Sequence, residues 1–170
     1  MFASADVETL DDVSTKGLVA GDGSPFSSNT MQIVVANGNR KHLTGLADLG
    51  RGDVAVALCA PTVPYGKCGR QVLSNAGISV KEHSDETNAG ALIGRIGSGE
   101  VDAGIAYGTD TTGDVRVKGI DIPGKVNVTA HYPIVVVNKT SHAAVAKASI
   151  TFVLSLDGQR LLALHGFGPL

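Results

Sequence analysis

The chain contains no tryptophan, only three tyrosines and four phenylalanines, and just two methionines and two cysteines. With so few large side chains, its core must be filled by Ala, Val, Leu and Ile, packed closely through small residues. Two cysteines are too few for a structural zinc site, and Cys59 and Cys68 have no metal-like spacing. They read either as small core or surface thiols or as a disulfide of an exported protein. Nothing in the spacing sets a base beside either to make a nucleophile. No apolar run approaches the ~20 residues of a membrane span. Met1 to Asp6 lacks the basic start, apolar stretch and cleavage site of a signal peptide, so the chain as written is expected to remain in the cytoplasm. Basic residues are scattered and the formal net charge is −2, which leaves no electrostatic footprint for nucleic acid or an anionic membrane.

Reaction chemistry is equally sparse. The five histidines, His42, His83, His131, His142 and His165, show no metal-like spacing among themselves or with carboxylates. There is no glycine-rich nucleotide loop and no Gly-x-Ser-x-Gly elbow. Asp11, Asp12, Asp48 and Asp53 read as caps or solvated charges, with no pairing for acid and base work. Neither an enzyme nor a cofactor is implied.

What is present is a folding chain: 43% hydrophobic, 18% charged and carrying 22 glycines. That balance belongs to globular proteins rich in tight turns. Phe2 to Ala5 reads as the end of a buried strand. Asp6 caps a helix with Val7, Leu10, Val13 and Leu18 on one face, and Gly17 and Gly21 help stop it. A polar loop is expected from Asp22 to Asn29, a strand over 30–36, and a short helix over 43–49. The run 54–60 is apolar on both sides, as in a central parallel strand covered by helices. After the exit loop Pro61 to Gly66, a helix is expected over 67–76, closed by Gly77, and an extended stretch over 78–80. A helix over 89–98, a strand over 102–107, extended segments at 120–123 and 129–137, and helices over 143–154 and 157–164 complete the pattern.

Alternating strands and helices predict an α/β fold with a mostly parallel sheet. The extended segments 30–36 and 131–137 read as hinge strands. They bound a second lobe, residues 30–137, of about 100 residues, close to the usual domain size. Residues 1–29 and 138–170 form the remaining lobe.

In open α/β sheets, ligands sit outside the carboxyl ends of strands. Three places qualify. The loop Pro61 to Gly66 leads into a helix whose first amides can point outward and attract an anion. Asn88, at the start of the next helix, can offer an amide or its carboxamide. Tyr107 brings a phenol to the strand end Gly104-Ile105-Ala106-Tyr107-Gly108-Thr109-Asp110. Each alone also has a plain structural reading: a stiff turn, a helix cap, a packed tyrosine with a wet hydroxyl.

Taken in order, five stretches resemble the substrate-binding proteins of bacterial molybdate ABC transporters. They are Phe2 to Asp6, Cys59 to Gly66, Gly104 to Asp110, Tyr132 to Val136, and His165-Gly166-Phe167. The resemblance implies an exported, periplasmic two-lobed binder that clamps molybdate or tungstate with neutral donors and delivers it to a membrane permease. Carried over, the oxyanion donors are Tyr65, Asn88 and Tyr107, with no metal site besides the oxyanion. Tyr65 stands where a small residue or cysteine is usual. The chain opens at what resembles the third strand of the family's first lobe, so that lobe is expected to be incomplete. Its serine-bearing loops would be absent, binding impaired, and an apolar edge open to self-association. Two other readings are the effector domain of a transcription regulator, some of which are similar to the same binders, and an interaction domain without a ligand.

Overall fold

The computed structural model describes residues 1–169; Leu170, the last residue of the expected first lobe, lies outside the described residues. The fold is α/β, with strands flanked by helices, and it divides into two compact units. One comprises Met1–Asn29 and the chain from Thr129 onward; the other is Thr30–Val128.

The first unit begins with β1 (Phe2–Ala3) and α1 (Val7–Thr15). Asp6 caps α1, its Oδ1 accepting the Thr9 N–H at 2.6 Å. β2 (Ser24–Ala36) starts earlier than expected and is shared between the units. Ser27, Ser28 and Asn29, read from sequence as loop, are buried strand residues. Their polar groups find partners far along the chain: Ser27 Oγ donates to Gly168 O, Ser28 Oγ to Pro169 O, and Asn29 Nδ2 to Tyr132 Oη. Long-range hydrogen bonds thus overrode local turn chemistry.

The second unit contains a 3-10 turn (Leu46–Gly50), β3 (Val56–Cys59), α2 (Pro64–Ala76), β4 (Glu82–Glu86), α3 (Ala89–Ser98), β5 (Ala103–Tyr107), α4 (Gly108–Thr111) and β6 (Val117–Asp121). The 3-10 turn replaces the expected helix over 43–49. Asp48 Oδ2 accepts the Thr44 and Gly45 amides and the Thr44 hydroxyl, which fixes a tight start. β4 lies later than the expected extended stretch at 78–80, and β6 spans Val117–Asp121 rather than 120–123.

The chain then re-enters the first unit as β7 (Thr129–Val135), α5 (Ala143–Leu154) and α6 (Leu156–Leu164). β7 pairs antiparallel with β1 through Phe2↔Val135 and Ala3↔Ile134, which is why this strand sits with the first unit. Tyr132 packs against Phe26 and Phe167, with ring centroids 6.2 and 5.8 Å away.

In the second unit β3 pairs in parallel with β4 and β5, while β2 pairs antiparallel with β5 on one side and β6 on the other. Because side chains alternate along a strand, the two faces of this sheet carry different helices. Gly69 of α2 lies over Leu58 and Ile105, whereas Ala57, Cys59 and Ala106 pack with Leu92, Ile93 and Ile96 of α3. Gly104 lets α3 approach: a Cβ there would stand 2.7 Å from Ala57 O and 2.9 Å from Leu92 Cδ1. Both helices end on left-handed glycines, Gly77 (φ +67°) and Gly99 (φ +78°).

Candidate functional site

β3, β4 and β5 run in parallel, so their carboxyl ends gather at one rim of the second unit. Each hands the chain to a helix there: β3 to α2, β4 to α3 and β5 to α4. Tyr65, Asn88 and Tyr107 all stand at these junctions.

Tyr107 closes β5 two residues beyond Ile105, so its side chain takes the face covered by α2. It is buried, with 6% of its surface exposed. Tyr65 is the second residue of α2. The two rings meet edge to face, centroids 4.5 Å apart and planes at 68°. Cys68, half-buried one turn into α2, brings its Sγ to 3.6 Å from Tyr107 Oη.

The pair is tied to Asp110. The Tyr65 hydroxyl donates to Asp110 Oδ2 at 2.7 Å, and the Tyr107 backbone N–H donates to the same oxygen at 3.1 Å. Burial pushes the Asp110 carboxyl above its ordinary range, and these two donors pull it back in part. Nothing in sequence spacing marked Asp110 as Tyr65's partner. The signal available was the stretch Tyr107 to Asp110 itself, a strand end followed three residues later by an acid, as in a capping box.

Asn88 is less directly involved. It is exposed and caps α3, its Oδ1 accepting the Ala91 N–H at 2.9 Å, while Nδ2 donates to Thr87 Oγ1 at 3.2 Å. The structure therefore brings Tyr65 and Tyr107 into contact and leaves Asn88 at the neighbouring strand end.

The start of α2 differs from the expected run of outward amides. Pro64 has no N–H, and the Gly66 and Lys67 amides both donate to Val63 O, at 3.0 and 3.2 Å. Gly66 is obligatory here, because a Cβ would fall 2.0 Å from Ala60 O and 2.4 Å from Cys59 O. Arg70 stitches the junction from behind: its Nη1 donates to Cys59 O at 2.6 Å and Gly66 O at 3.1 Å. Its other terminal nitrogen is ion-paired with Glu82 and Asp85, so its charge is compensated locally.

Cys59 and Cys68 are both free thiols. Burial pushes the Cys59 thiol up to about 11, and the nearby carboxylates of Asp110 and Glu86 add to the effect. Among the described residues, no group of three His, Cys, Asp or Glu side chains is placed to hold a metal ion, and no helix is long and apolar enough to cross a membrane. A cavity of about 480 Å³ opens at the opposite rim of the second unit, lined by Arg51, Asp53, Lys81, Glu82, His83 and Asp102. Its Arg51 is already paired with Asp53, so the lining does not present a field of one sign.

A profile of bacterial extracellular solute-binding proteins matches residues 1–168. The chain belongs to that family. The chain is 34% identical over 168 residues to the molybdate-binding protein ModA of Mycobacterium tuberculosis and to that of Mycobacterium bovis. The match covers 98% of this chain and 64% of those proteins, so the chain spans just under two thirds of their length. Its fold is similar to the substrate-binding domain of a putative molybdenum ABC transporter from Clostridium difficile, with a TM-score of 0.84 at 22% identity over 99% of this chain and 76% of that one. The sulfate-binding protein SubI of Mycobacterium tuberculosis gives 0.81 at 18% identity, over 99% and 68%. The periplasmic molybdate-binding protein of Azotobacter vinelandii gives 0.76 at 16%, over 98% and 76%.

Proposed function

We propose that this chain is the oxyanion-binding part of an ABC importer's substrate-binding protein and that its ligand is molybdate or tungstate. It acts outside the cytoplasmic membrane and hands the ligand to a membrane permease, without a catalytic step or a cofactor. The observation that carries the reading is the meeting of Tyr65 and Tyr107, at 4.5 Å, where the carboxyl ends of β3 and β5 reach the start of α2. The identity with the mycobacterial molybdate-binding proteins supports the choice of ligand.

In this reading the donors are neutral: the Tyr65 backbone at the head of α2, the Tyr107 hydroxyl, and Asn88 at the head of α3. The α2 dipole favours a negative ligand by a few tenths to ~2 kcal/mol. A hydrogen bond to a charged oxygen adds roughly 1.5–3 kcal/mol. Segments 30–36 and 131–137 serve as hinges between the lobes. All three donors belong to the second unit and form one arm of a clamp, which on its own holds the anion weakly.

Calorimetric titration with molybdate, tungstate, sulfate and phosphate tests this. Molybdate and tungstate are expected to bind with dissociation constants weaker than about 1 μM. Absence of heat and of any thermal shift with all four anions removes the binding claim. Micromolar or tighter binding overturns the one-arm claim.

A further inference from the structure

Asp110 touches both tyrosines of the candidate site. It comes from α4, whereas Tyr65 comes from α2, so a single oxygen ties two separate strand-to-helix junctions together. An acid beside an oxyanion site is unfavourable unless its charge is occupied. Here Asp110 Oδ2 accepts the Tyr65 hydroxyl at 2.7 Å and the Tyr107 N–H at 3.1 Å. The arrangement commits the Tyr65 phenolic proton to the protein. It also fixes the Tyr65 ring as a wall, edge to face with Tyr107.

We infer that Asp110 is a positioning residue for the oxyanion site, acting through Tyr65: it anchors the Tyr65 hydroxyl so that the bulky ring is held against Tyr107 and out of the anion's place. The inference rests on the oxyanion reading above. It gives the unusual Tyr65 a physical account. A tyrosine at the head of α2 is tolerated because a half-buried acceptor, two junctions away, takes its hydroxyl. Without that acceptor the ring swings on its χ angles into the space before α2, and its hydroxyl competes with the anion.

The absence of tryptophan makes the test direct, since tyrosine emission is read without interference from the three tyrosines' usual acceptor. Emission of a tyrosine whose hydroxyl donates to a carboxylate is quenched. Four variants of the full chain are compared by emission and by calorimetric titration with molybdate: Asp110→Ala, Asp110→Asn, Tyr65→Phe and the double variant Tyr65→Phe with Asp110→Ala. Emission is expected to rise in both Asp110 variants, which lose the carboxylate, and not in Tyr65→Phe, which loses the quenched phenol. Molybdate affinity is expected to fall at least fivefold in Asp110→Ala and to return to within twofold in Asp110→Asn, whose amide oxygen still accepts the phenol. In the Tyr65→Phe background, Asp110→Ala is expected to cost less than twofold. Emission unchanged in Asp110→Ala, an Asp110→Asn variant as weak as Asp110→Ala, or equal losses in the two backgrounds overturns the inference. If the wild-type chain binds no oxyanion, the functional reading fails, and the emission series, which needs no ligand, still decides whether Asp110 holds Tyr65.

Discussion

Cys59 ends β3 directly beneath the site, almost wholly buried at 1% exposure. Its thiol is pushed up to about 11 from an ordinary 9.0, first by burial and then by Asp110 and Glu86. A raised folded-state value means that the neutral thiol's contribution to stability is complete below pH 9.0 and is lost as pH rises through about 11. At pH 8, iodoacetamide is therefore expected to modify half-buried Cys68 in the folded chain and to reach Cys59 only in denaturant. Mass spectrometry of the alkylated chain reads this directly, and equal labelling of both thiols without denaturant would contradict it. The place of Tyr107 at a strand end was legible at this scale, because an apolar run, a phenol and a glycine follow one another in the sequence. The tie from Tyr65 to Asp110 was not, because the two residues stand 45 positions apart and meet only once β3 and β5 are paired.

At the scale of elements, the candidate site depends on how closely α2 follows β3. Gly66 allows that approach, and a methyl group there would overlap the carbonyls of Ala60 and Cys59. Gly66→Ala is expected to destabilise the chain by about 1–3 kcal/mol, the usual cost of forcing atoms into a packed region. Urea unfolding with an unchanged m-value measures it, and an unshifted midpoint would show that α2 can start elsewhere. Helices were readable from their caps and glycine stops: Asp6, Asn88, Gly77 and Gly99 all act as their residue types suggest. Strands were less so. β4 has the sequence Glu-His-Ser-Asp-Glu, which carries no apolar signal. It is held by β3 on one side and by arginines at its charged positions: Arg70 reaches Glu82 and Asp85, and Arg95 reaches Glu86. Ser27 and Ser28 likewise find partners near residue 168 that no local window contains.

At the scale of the molecule, the two units differ in how well they bury their apolar residues. The second unit holds most of the core, including Met31, Ile33, Leu58, Leu92, Ile96 and Ile105. In the first, Val145, Phe152, Leu156, Leu161 and Leu164 of α5 and α6 are at least half exposed, and among the α5 residues described only Ala146 is buried. Apolar patches of this kind favour association. Light scattering of these 170 residues is expected to show oligomers that grow with concentration, whereas a monomer at every concentration would contradict the expectation. The α/β class and the run of strand-to-helix junctions were legible in the alternation of apolar runs, and the family in the order of its short motifs. Uncovered apolar surface on the first lobe was already expected from the resemblance; which side chains carry it became visible only in three dimensions.

In the proposed function, the neutral phenol of Tyr107 at the end of β5 holds a tetrahedral oxyanion. Calorimetric titration of the chain with molybdate, run side by side on the wild type and on Tyr107→Phe, tests it most directly. Saturable heat is expected for the wild type and an affinity at least tenfold weaker for Tyr107→Phe, since a hydrogen bond to a charged oxygen is worth roughly 1.5–3 kcal/mol and about 1.4 kcal/mol is tenfold. Equal affinity in the two chains, or no saturable heat in either, would contradict it.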